Sequence, residues 1–346
     1  MKIGVMGTGM FGFAISRYLG KKYSDDGTVS IAAYDINKKL IEHLKKTREH
    51  LYHFKGKKLP KNILLTNNKI EAVRNADIII IAVTSQSIRE LVKEIRAYLK
   101  KGVIIVNTAK ALEIGTGKTF SEVIAEELKD QCINFEIAKL SGGMFAEDLV
   151  NDVPLGADIA CENINTLKNL QKLFHSNILR VYANTDLIGV EYAGAFKNVI
   201  AILAGIVNGL GLPYGSETHM ISRAAKEAKE IAVALGAKSH TFSMESQCWG
   251  NDLWMSCTGK SRNREFGRLI GRGFSPKDAL NEMEKKHKLV EGYYTTAVIP
   301  MLCEKTGIIA PLLNEMYKIV YEEKDPRTSI GDIMNREAEN IGLQPM

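Results

Sequence analysis

MKIGVMGTGMFGFAISRYL, residues 1–19, places a short apolar run before the pattern Gly7-x-Gly9-x-x-Gly12 and an amphipathic segment after it. The apolar run predicts a strand, and the amphipathic segment predicts a helix. In such a unit the first glycine permits a tight turn, the second lets a pyrophosphate approach the backbone, and the third allows close helix packing. The helix N terminus also offers unpaired N–H groups to phosphates. We therefore expect this turn, with Met10 and Phe11 between the glycines, to bind a dinucleotide.

Asp35 closes the second predicted strand, 23 positions after Gly12, near the spacing of roughly 20 residues at which an acidic side chain reads the ribose. A carboxylate there accepts hydrogen bonds from the ribose hydroxyls and repels a 2′-phosphate. Residues 29–37 contain no arginine, although Lys38 and Lys39 follow directly. The pattern favours NAD over NADP. The alternative is that Asp35 serves only the turn or caps the next helix.

The composition is that of a folded protein with two domains. The chain has 346 residues, of which 45% are hydrophobic and 25% charged, and a single core stops growing below that length. The net charge of +6 is modest and the basic residues are mixed with acids, which argues against a nucleic-acid partner and allows a small anionic ligand. The chain has no uninterrupted apolar run of about 18 residues and does not start with a signal-peptide pattern. We expect no membrane association and a cytoplasmic location.

The cysteines are odd in number and widely spaced, without the spacing of a metal site. We expect all of them to be reduced thiols: Cys132, Cys161, Cys248, Cys257 and Cys303.

Short β-branched runs alternate with amphipathic stretches through the first half of the chain. The predicted strands are residues 2–6, 29–34, 77–83, 103–107 and 135–140. This alternation predicts a parallel, doubly wound sheet of the Rossmann type with helices on both faces. From about Asp186 helical periods take over, for instance in residues 221–235 and 276–288. We expect an α/β fold in which a dinucleotide-binding domain, residues 1–187, precedes an all-α substrate-binding and catalytic domain, residues 188–346.

A lysine stands in the most apolar segment of the second half. Lys197 is the only charged residue between Glu191 and Glu217, in a run that is apolar all round and therefore predicts a buried helix. Burial of an ammonium group costs hydration or lowers its pKa, which a proton-transferring lysine needs. The alternative is that Lys197 reaches solvent or forms a structural ion pair.

Two further groups of residues are candidates for a chemical site. Lys110 follows the predicted strand 103–107 and so lies at the carboxyl edge of a parallel sheet, where such folds bind ligands. It is equally compatible with an ordinary loop lysine. Residues 251–264 combine Asp252 and Ser256 with Arg262, and arginine suits bidentate binding of phosphate or carboxylate. The alternatives there are a solvated basic loop or a nucleic-acid patch.

Taken in order along the chain, these stretches resemble NAD-dependent glycerol-3-phosphate dehydrogenases. The most specific part is Gly-Ala-x-Lys197-Asn198, because a helix of small residues and Asn208-Gly-Leu-Gly211 follow it. The resemblance covers nearly the whole chain, through the glycine motif, Leu59-Pro60, the block Gly189–Asn198, Asp252-Leu253, Ser261-Arg-Asn263 and Val290-Glu-Gly292.

The resemblance implies hydride transfer that interconverts dihydroxyacetone phosphate and sn-glycerol 3-phosphate. Lys197 would be the general acid/base, Lys110 would polarise the carbonyl, and Asp252 would orient Lys197. The residues implied to contact the substrate are Lys110, Gly142, Asn198, Ser256, Asn263 and the phosphate ligand Arg262. The residues implied to contact the cofactor are Gly7, Gly9, Met10, Phe11, Gly12, Asp35, Lys110, Ala146, Arg262 and Glu291. The family also suggests a homodimer formed through the helical domain.

Three stretches depart from the commoner pattern of the family, one of them residues 214–218, which lack the asparagine expected after Asn208-Gly-Leu-Gly211. Thr-Lys-Gly is replaced by Ala109-Lys110-Ala111. Ser-Gly-Pro-Ser/Thr is replaced by Ser141-Gly-Gly-Met144, which puts a thioether where a hydroxyl near the substrate is expected. Two alternatives stay open: a related dehydrogenase acting on another polyol phosphate or a hydroxy acid, and a binding protein that senses the cofactor without turnover.

Overall fold

The N-terminal half of the chain forms one eight-stranded sheet. The computed structural model describes residues 1–131 and 133–336. The strands are β1 (Lys2–Met6), β2 (Ser30–Tyr34), β3 (Ile63–Thr66), β4 (Ile78–Ile81), β5 (Val103–Asn107), β6 (Phe135–Ser141), β7 (Leu155–Cys161) and β8 (Leu179–Asn184). Their order across the sheet is β3-β2-β1-β4-β5-β6-β7-β8.

Neighbouring strands are parallel except at one pair. β7 runs antiparallel to β6, whereas the other neighbours are parallel. The sequence predicted the doubly wound sheet and five of its strands, and those five pair in parallel as expected. The antiparallel pair of β6 and β7 was not foreseen, because β7 was not among the predicted strands. The pair is antiparallel because the connection between the two strands stays at the carboxyl edge of β6 and enters β7 from there.

Helices cover both faces of this sheet, as predicted. They are α1 (Met10–Lys22), α2 (Lys38–Thr47), α3 (Lys69–Val73), α4 (Ile88–Ile95), α5 (Phe120–Leu128), α6 (Ala146–Val150) and α7 (Ile164–Phe174). Ile3 and Val5 of β1 share a core with α1, α2, α6 and α7, whereas Met6 shares a core with α3, α4 and α5. Successive side chains of a strand point to opposite faces, so β1 is buried on both sides.

The rest of the described chain is helical, as the sequence predicts. Its helices are α8 (Leu187–Gly209), α9 (Tyr214–Ala234), α10 (Asp252–Thr258), α11 (Arg262–Gly271), α12 (Pro276–Lys285), α13 (Glu291–Ala297), α14 (Ile299–Thr306), α15 (Pro311–Tyr321) and α16 (Pro326–Met334). A π-helical turn, Gln247–Asn251, leads directly into α10.

α8 is the buried helix that the sequence predicts. By length and composition it could cross a membrane, but its apolar window is 100% buried inside the protein, as in the core helix of a globular fold. Cβ atoms added to Gly205 of α8 and Gly267 of α11 would lie 2.1 Å and 2.0 Å from carbonyl oxygens of the other helix. The two helices therefore cross in backbone contact, which places the start of α11 beside the middle of α8.

The cysteines within the described residues are free thiols, as expected. Cys161, Cys248 and Cys257 are buried and Cys303 is half-buried. Cys132 lies outside the described residues, as do residues 337–346 of the predicted second domain.

Candidate active site

The glycine motif forms the turn between β1 and α1. Gly7 has a φ of 100°, a conformation that favours glycine, and a Cβ on Gly12 would lie 1.9 Å from the Gly7 carbonyl oxygen. In contrast, a Cβ on Gly9 would meet no atom within 4 Å, and no side chain caps the start of α1. Gly7 and Gly12 thus serve the turn itself, whereas Gly9 leaves backbone N–H groups open to an anion. This turn, with Met10 and Phe11 in the first turn of α1, fits the pyrophosphate of a dinucleotide.

Asp35 ties the end of β2 to this turn. Its Oδ2 accepts hydrogen bonds from the backbone N–H of Thr8 at 2.7 Å and from the Thr8 hydroxyl at 3.1 Å. Its Oδ1 accepts from the N–H of Asn37 at 2.9 Å. The carboxylate therefore has the turn-forming contacts that the sequence left as an alternative, and its ribose contact stays a prediction.

Two lysines flank one buried carboxylate at the carboxyl edge of the sheet. The Lys197 ammonium in α8 lies 2.9 Å from Oδ1 of Asp252, and the Lys110 ammonium after β5 lies 2.6 Å from its Oδ2. Asp252, at the start of α10, is 0% exposed. Lys197 also donates to the Ser256 hydroxyl at 2.8 Å, and Lys110 donates to the Gly142 carbonyl oxygen at 2.7 Å. The structure thus brings together five of the residues singled out from the sequence.

Burial and mutual charge set the protonation of this cluster. Burial lowers the pKa of Lys197 to about 8, with the Lys110 charge acting in the same direction and the Asp252 charge opposing it. Burial alone would raise the pKa of Asp252, but Lys110 and Lys197 outweigh it and hold that pKa below its usual value. Asp252 is therefore ionised at neutral pH, whereas Lys197 exchanges its proton close to neutrality.

Two asparagines connect the lysine-bearing segment to α11 and α13. The Asn198 amide donates to the Lys110 carbonyl oxygen at 2.8 Å, and the Asn263 amide donates to the Asn198 side-chain oxygen at 2.8 Å. The Asn263 oxygen in turn accepts from the N–H of Gly292 at 2.9 Å. This chain of hydrogen bonds fixes the starts of α11 and α13 next to the Lys110 segment.

The remaining predicted residues border the same edge. Arg262 begins α11 and is half-buried. Burial is the main reason that the pKa of His53 is lowered, and the charges of His287 and Arg262 lower it further. Glu291 begins α13, and its charge opposes the lowering of the Lys197 pKa. Ala146 begins α6, just beyond the carboxyl end of β6.

The Met144 side chain is buried in the N-terminal half of the protein. It is 4% exposed and packs in a core that includes β1 and α1, and a thioether near the substrate stays a prediction. The preceding residue, Gly143, has no room for a side chain, because a Cβ there would lie 2.7 Å from the Asn251 amide nitrogen.

The sequence reasoning missed three buried polar residues beneath Lys110. Lys139 of β6 is 0% exposed and donates to the Ala109 carbonyl oxygen. Asn107 accepts from the Ala109 N–H at 2.9 Å and donates to Glu191 at 2.8 Å. The available signal was a single lysine inside a predicted strand that had to be covered on both faces.

Comparison with known proteins agrees with this geometry. The models of the NAD-dependent glycerol-3-phosphate dehydrogenase N-terminus and C-terminus match residues 2–167 and 186–331. A glycerol-3-phosphate dehydrogenase [NAD(P)+] from Clostridium botulinum (strain Alaska E43 / Type E3) is 36% identical, over 97% of this chain and 98% of the relative. One of the same name from Fusobacterium nucleatum is 34% identical over 97% of each chain.

Solved structures show the same fold. The crystal structure of glycerol-3-phosphate dehydrogenase from Coxiella burnetii superimposes with a TM-score of 0.88 at 25% identity, over 97% of this chain and 99% of that one. The glycine turn, the buried lysines and the family models that match most of the chain lead to one conclusion. The chain belongs to the NAD-dependent glycerol-3-phosphate dehydrogenase family.

Proposed function

We propose that the protein interconverts dihydroxyacetone phosphate and sn-glycerol 3-phosphate, with Lys197 as the proton-transferring group. The observation that carries this proposal is the buried cluster of Lys197, Asp252 and Lys110 at the sheet edge that also bears the glycine turn. Relatives at 32% to 36% identity over nearly the whole chain, named glycerol-3-phosphate dehydrogenase [NAD(P)+], support it. The nicotinamide cofactor, when bound, supplies the hydride.

The protein's own groups handle the proton and the developing charge. In the direction of reduction the Lys197 ammonium gives a proton to the oxygen that becomes the C2 hydroxyl, and in oxidation the neutral amine takes it back. Asp252 keeps Lys197 oriented, and Ser256 accepts a second hydrogen bond from the same ammonium. Lys110 donates to the substrate carbonyl oxygen and stabilises negative charge as it develops there.

The other predicted residues bind the substrate and the cofactor. Arg262 is assigned to the substrate phosphate, because a guanidinium binds two phosphate oxygens at once. Gly142, Asn198, Ser256 and Asn263 surround the remainder of the substrate. On the cofactor side we propose the glycine turn with Asp35 together with Lys110, Ala146, Arg262 and Glu291.

The same proposal extends to cofactor preference and organisation. Asp35 disfavours a 2′-phosphate, and we propose NAD as the preferred cofactor, with Lys38 and Lys39 as the feature that would favour NADP. We further propose that residues 1–187 form the dinucleotide-binding domain and residues 188–346 the catalytic one. We also propose a cytoplasmic location and a homodimer formed through the helical domain; the family resemblance supports the dimer.

The activity is tested by adding dihydroxyacetone phosphate to the purified protein with NADH and following the loss of NADH absorbance. We expect turnover with the phosphorylated ketone and none with dihydroxyacetone, because Arg262 then lacks its phosphate. No absorbance loss at saturating cofactor would contradict the assignment. Turnover only with another phosphorylated ketone or with a keto acid would identify one of the related dehydrogenases. Parallel titrations with NADPH test Asp35, whose assigned role fails if NADPH is preferred.

A further inference from the structure

A lysine outside the proposed catalytic cluster lies in the protein interior directly beneath it. Lys139 is on β6 and pairs in register with Asn107, the last residue of β5. Its side chain is 0% exposed and points toward the end of β5, where it donates to the Ala109 carbonyl oxygen. No role proposed above uses this residue. Building an ammonium into an interior strand is expensive, because desolvation works against the charge.

Lys139 takes part in fixing the peptide groups on both sides of Lys110. The Ala109 N–H is held by Asn107 at 2.9 Å, and the Ala109 carbonyl is held by Lys139. One residue later, the Lys110 carbonyl is held by Asn198 at 2.8 Å. Three buried side chains therefore replace the secondary-structure bonds that this segment lacks after β5 ends, and they leave the Lys110 side chain directed at Asp252.

We propose that Lys139 is a positioning residue for Lys110, which holds the Ala109 carbonyl so that the Lys110 ammonium stays between Gly142 and Asp252. The inference rests on the proposed function, because it assigns Lys110 to the substrate carbonyl. Lys139 and Gly142 both belong to the β6 side of the site, whereas Lys110 follows β5. The interior lysine thus locks the ends of two neighbouring strands at the spacing that the cluster needs.

The charges around Lys139 give this role a measurable signature. Burial lowers the pKa of Lys139 to about 8, so the group is still largely an ammonium at neutral pH. The groups that face it are Glu191 of α8 and Glu291 of α13, whose charges favour the ammonium, Lys110, whose charge disfavours it, and the Cys248 thiol. Removing the ammonium therefore removes a positive charge next to the cluster, and the cluster then holds its remaining protons to higher pH.

The test compares Lys139→Met, Lys139→Arg and the control Lys100→Met in reduction of dihydroxyacetone phosphate by NADH. Lys100 makes an exposed ion pair with Asp77, so its variant loses the same charge at a surface site away from the cluster. For Lys139→Met we expect kcat/KM to fall by about tenfold or more, since misplacement of a catalytic group by about 1 Å has a large effect. The pH at which kcat falls on the alkaline side should rise by about half a unit or more. NADH affinity should fall by less than kcat/KM, because the glycine turn is untouched and Lys110 is only one of the proposed cofactor contacts.

The two controls separate positioning from packing. Lys139→Arg keeps the charge and a donor, so its kcat should fall at the same alkaline pH as that of the wild type. Lys100→Met should match the wild type both in kcat/KM and in that pH. A folded Lys139→Met with kcat/KM within about twofold of wild type would refute the proposal. A Lys139→Met variant that is slower, but whose kcat falls at the same alkaline pH as in the wild type, would also refute the proposal. If the Met variant does not fold, Lys139→Gln, which keeps a neutral donor, must show the expected rise in the pH at which kcat falls. An inactive wild type in the same assay would instead refute the proposed function.

Discussion

The charge balance of the proposed site is decided by one residue, Asp252. Its carboxylate pairs with two ammonium groups at 2.6 Å and 2.9 Å, so the cluster keeps a net positive charge when both Lys110 and Lys197 are protonated. That balance suits an anionic substrate. The Lys197 proton is also available, because burial and, to a lesser extent, the Lys110 charge oppose the stabilisation of the ammonium that Asp252 provides.

The pH dependence of the two reaction directions follows from Lys197. Its pKa of about 8 means that the ammonium predominates below that pH and the amine above it. Reduction needs the ammonium, so kcat for reduction should decline as pH rises through about 8. Oxidation needs the amine, so kcat for oxidation should increase over the same interval. Initial rates in both directions, at saturating substrate and cofactor, measure the two limbs.

The control for this pH prediction is Lys197→Met. The variant should bind NADH normally and lose at least about a hundredfold in kcat, the usual contribution of a proton-transferring group. Reduction that stays constant from neutral pH to well above 8 in the wild type would remove Lys197 from the role of general acid.

At the scale of the local elements, two glycines of the turn between β1 and α1 serve different purposes, one for the fold and one for ligand binding. Gly12 is needed for the fold, because its missing side chain lets α1 approach the Gly7 carbonyl. Gly9 is surrounded by open space and has a φ of −61°, which any residue adopts. Glycine is therefore needed at position 9 only when a ligand such as the pyrophosphate approaches the backbone there.

This division predicts opposite behaviour for two alanine variants. Gly12→Ala should lower the free energy of unfolding by about 1–3 kcal/mol, since the new Cβ collides with a carbonyl oxygen. Gly9→Ala should change it by less than about 1 kcal/mol and yet weaken NADH binding by about tenfold or more, because the methyl group occupies the approach of the pyrophosphate. Denaturant unfolding and NADH fluorescence titrations measure the pair. Equal NADH affinity in Gly9→Ala and wild type would show that the phosphates bind elsewhere.

At the scale of the whole molecule, local patterns were readable from the sequence and long-range pairings were not. The glycine turn, the buried α8 and the sheet edge at Lys110 each depend on a contiguous stretch, and each was predicted. β3 was missed although β4 is equally short, because Ile63–Thr66 lacks the continuous β-branched run that marks Ile78–Ile81. β7 and β8 were not predicted either. The reversed direction of β7 depends on where a connection runs in space, which no periodicity encodes.

The site shows the same limit. Lys197 was found because one charge stood out in an apolar helix, and Lys110 because it follows a predicted strand at the sheet edge. Asp252 and Ser256 were found within the polar stretch 251–264, whereas Gly142 was found only through the family pattern. Lys139 escaped because a single lysine in a strand is compatible with an exposed edge position. Only the packing of α8 over β6 makes that position interior.

The crossing of α8 and α11 sets how the whole molecule holds its proposed substrate. Gly205 and Gly267 bring the two backbones into contact, and this approach puts Asn263 within 2.8 Å of Asn198. Gly267→Ala would place a Cβ 2.0 Å from the Ile202 carbonyl oxygen, so the helices must separate. We expect a loss of about 1–3 kcal/mol in the free energy of unfolding and a lower kcat/KM for dihydroxyacetone phosphate, since Arg262 moves with α11.

Gly215→Ala is the matched control for this crossing. Gly215 lies in α9, and a Cβ there would meet no atom within 4 Å. That variant should leave kcat/KM unchanged and alter the free energy of unfolding by no more than about 1 kcal/mol, in the stabilising direction if the helical preference of alanine dominates. Chemical denaturation and steady-state kinetics of both variants decide the matter. If Gly267→Ala proves as stable and as active as Gly215→Ala, backbone contact between α8 and α11 is not what holds Arg262 in register with Lys197.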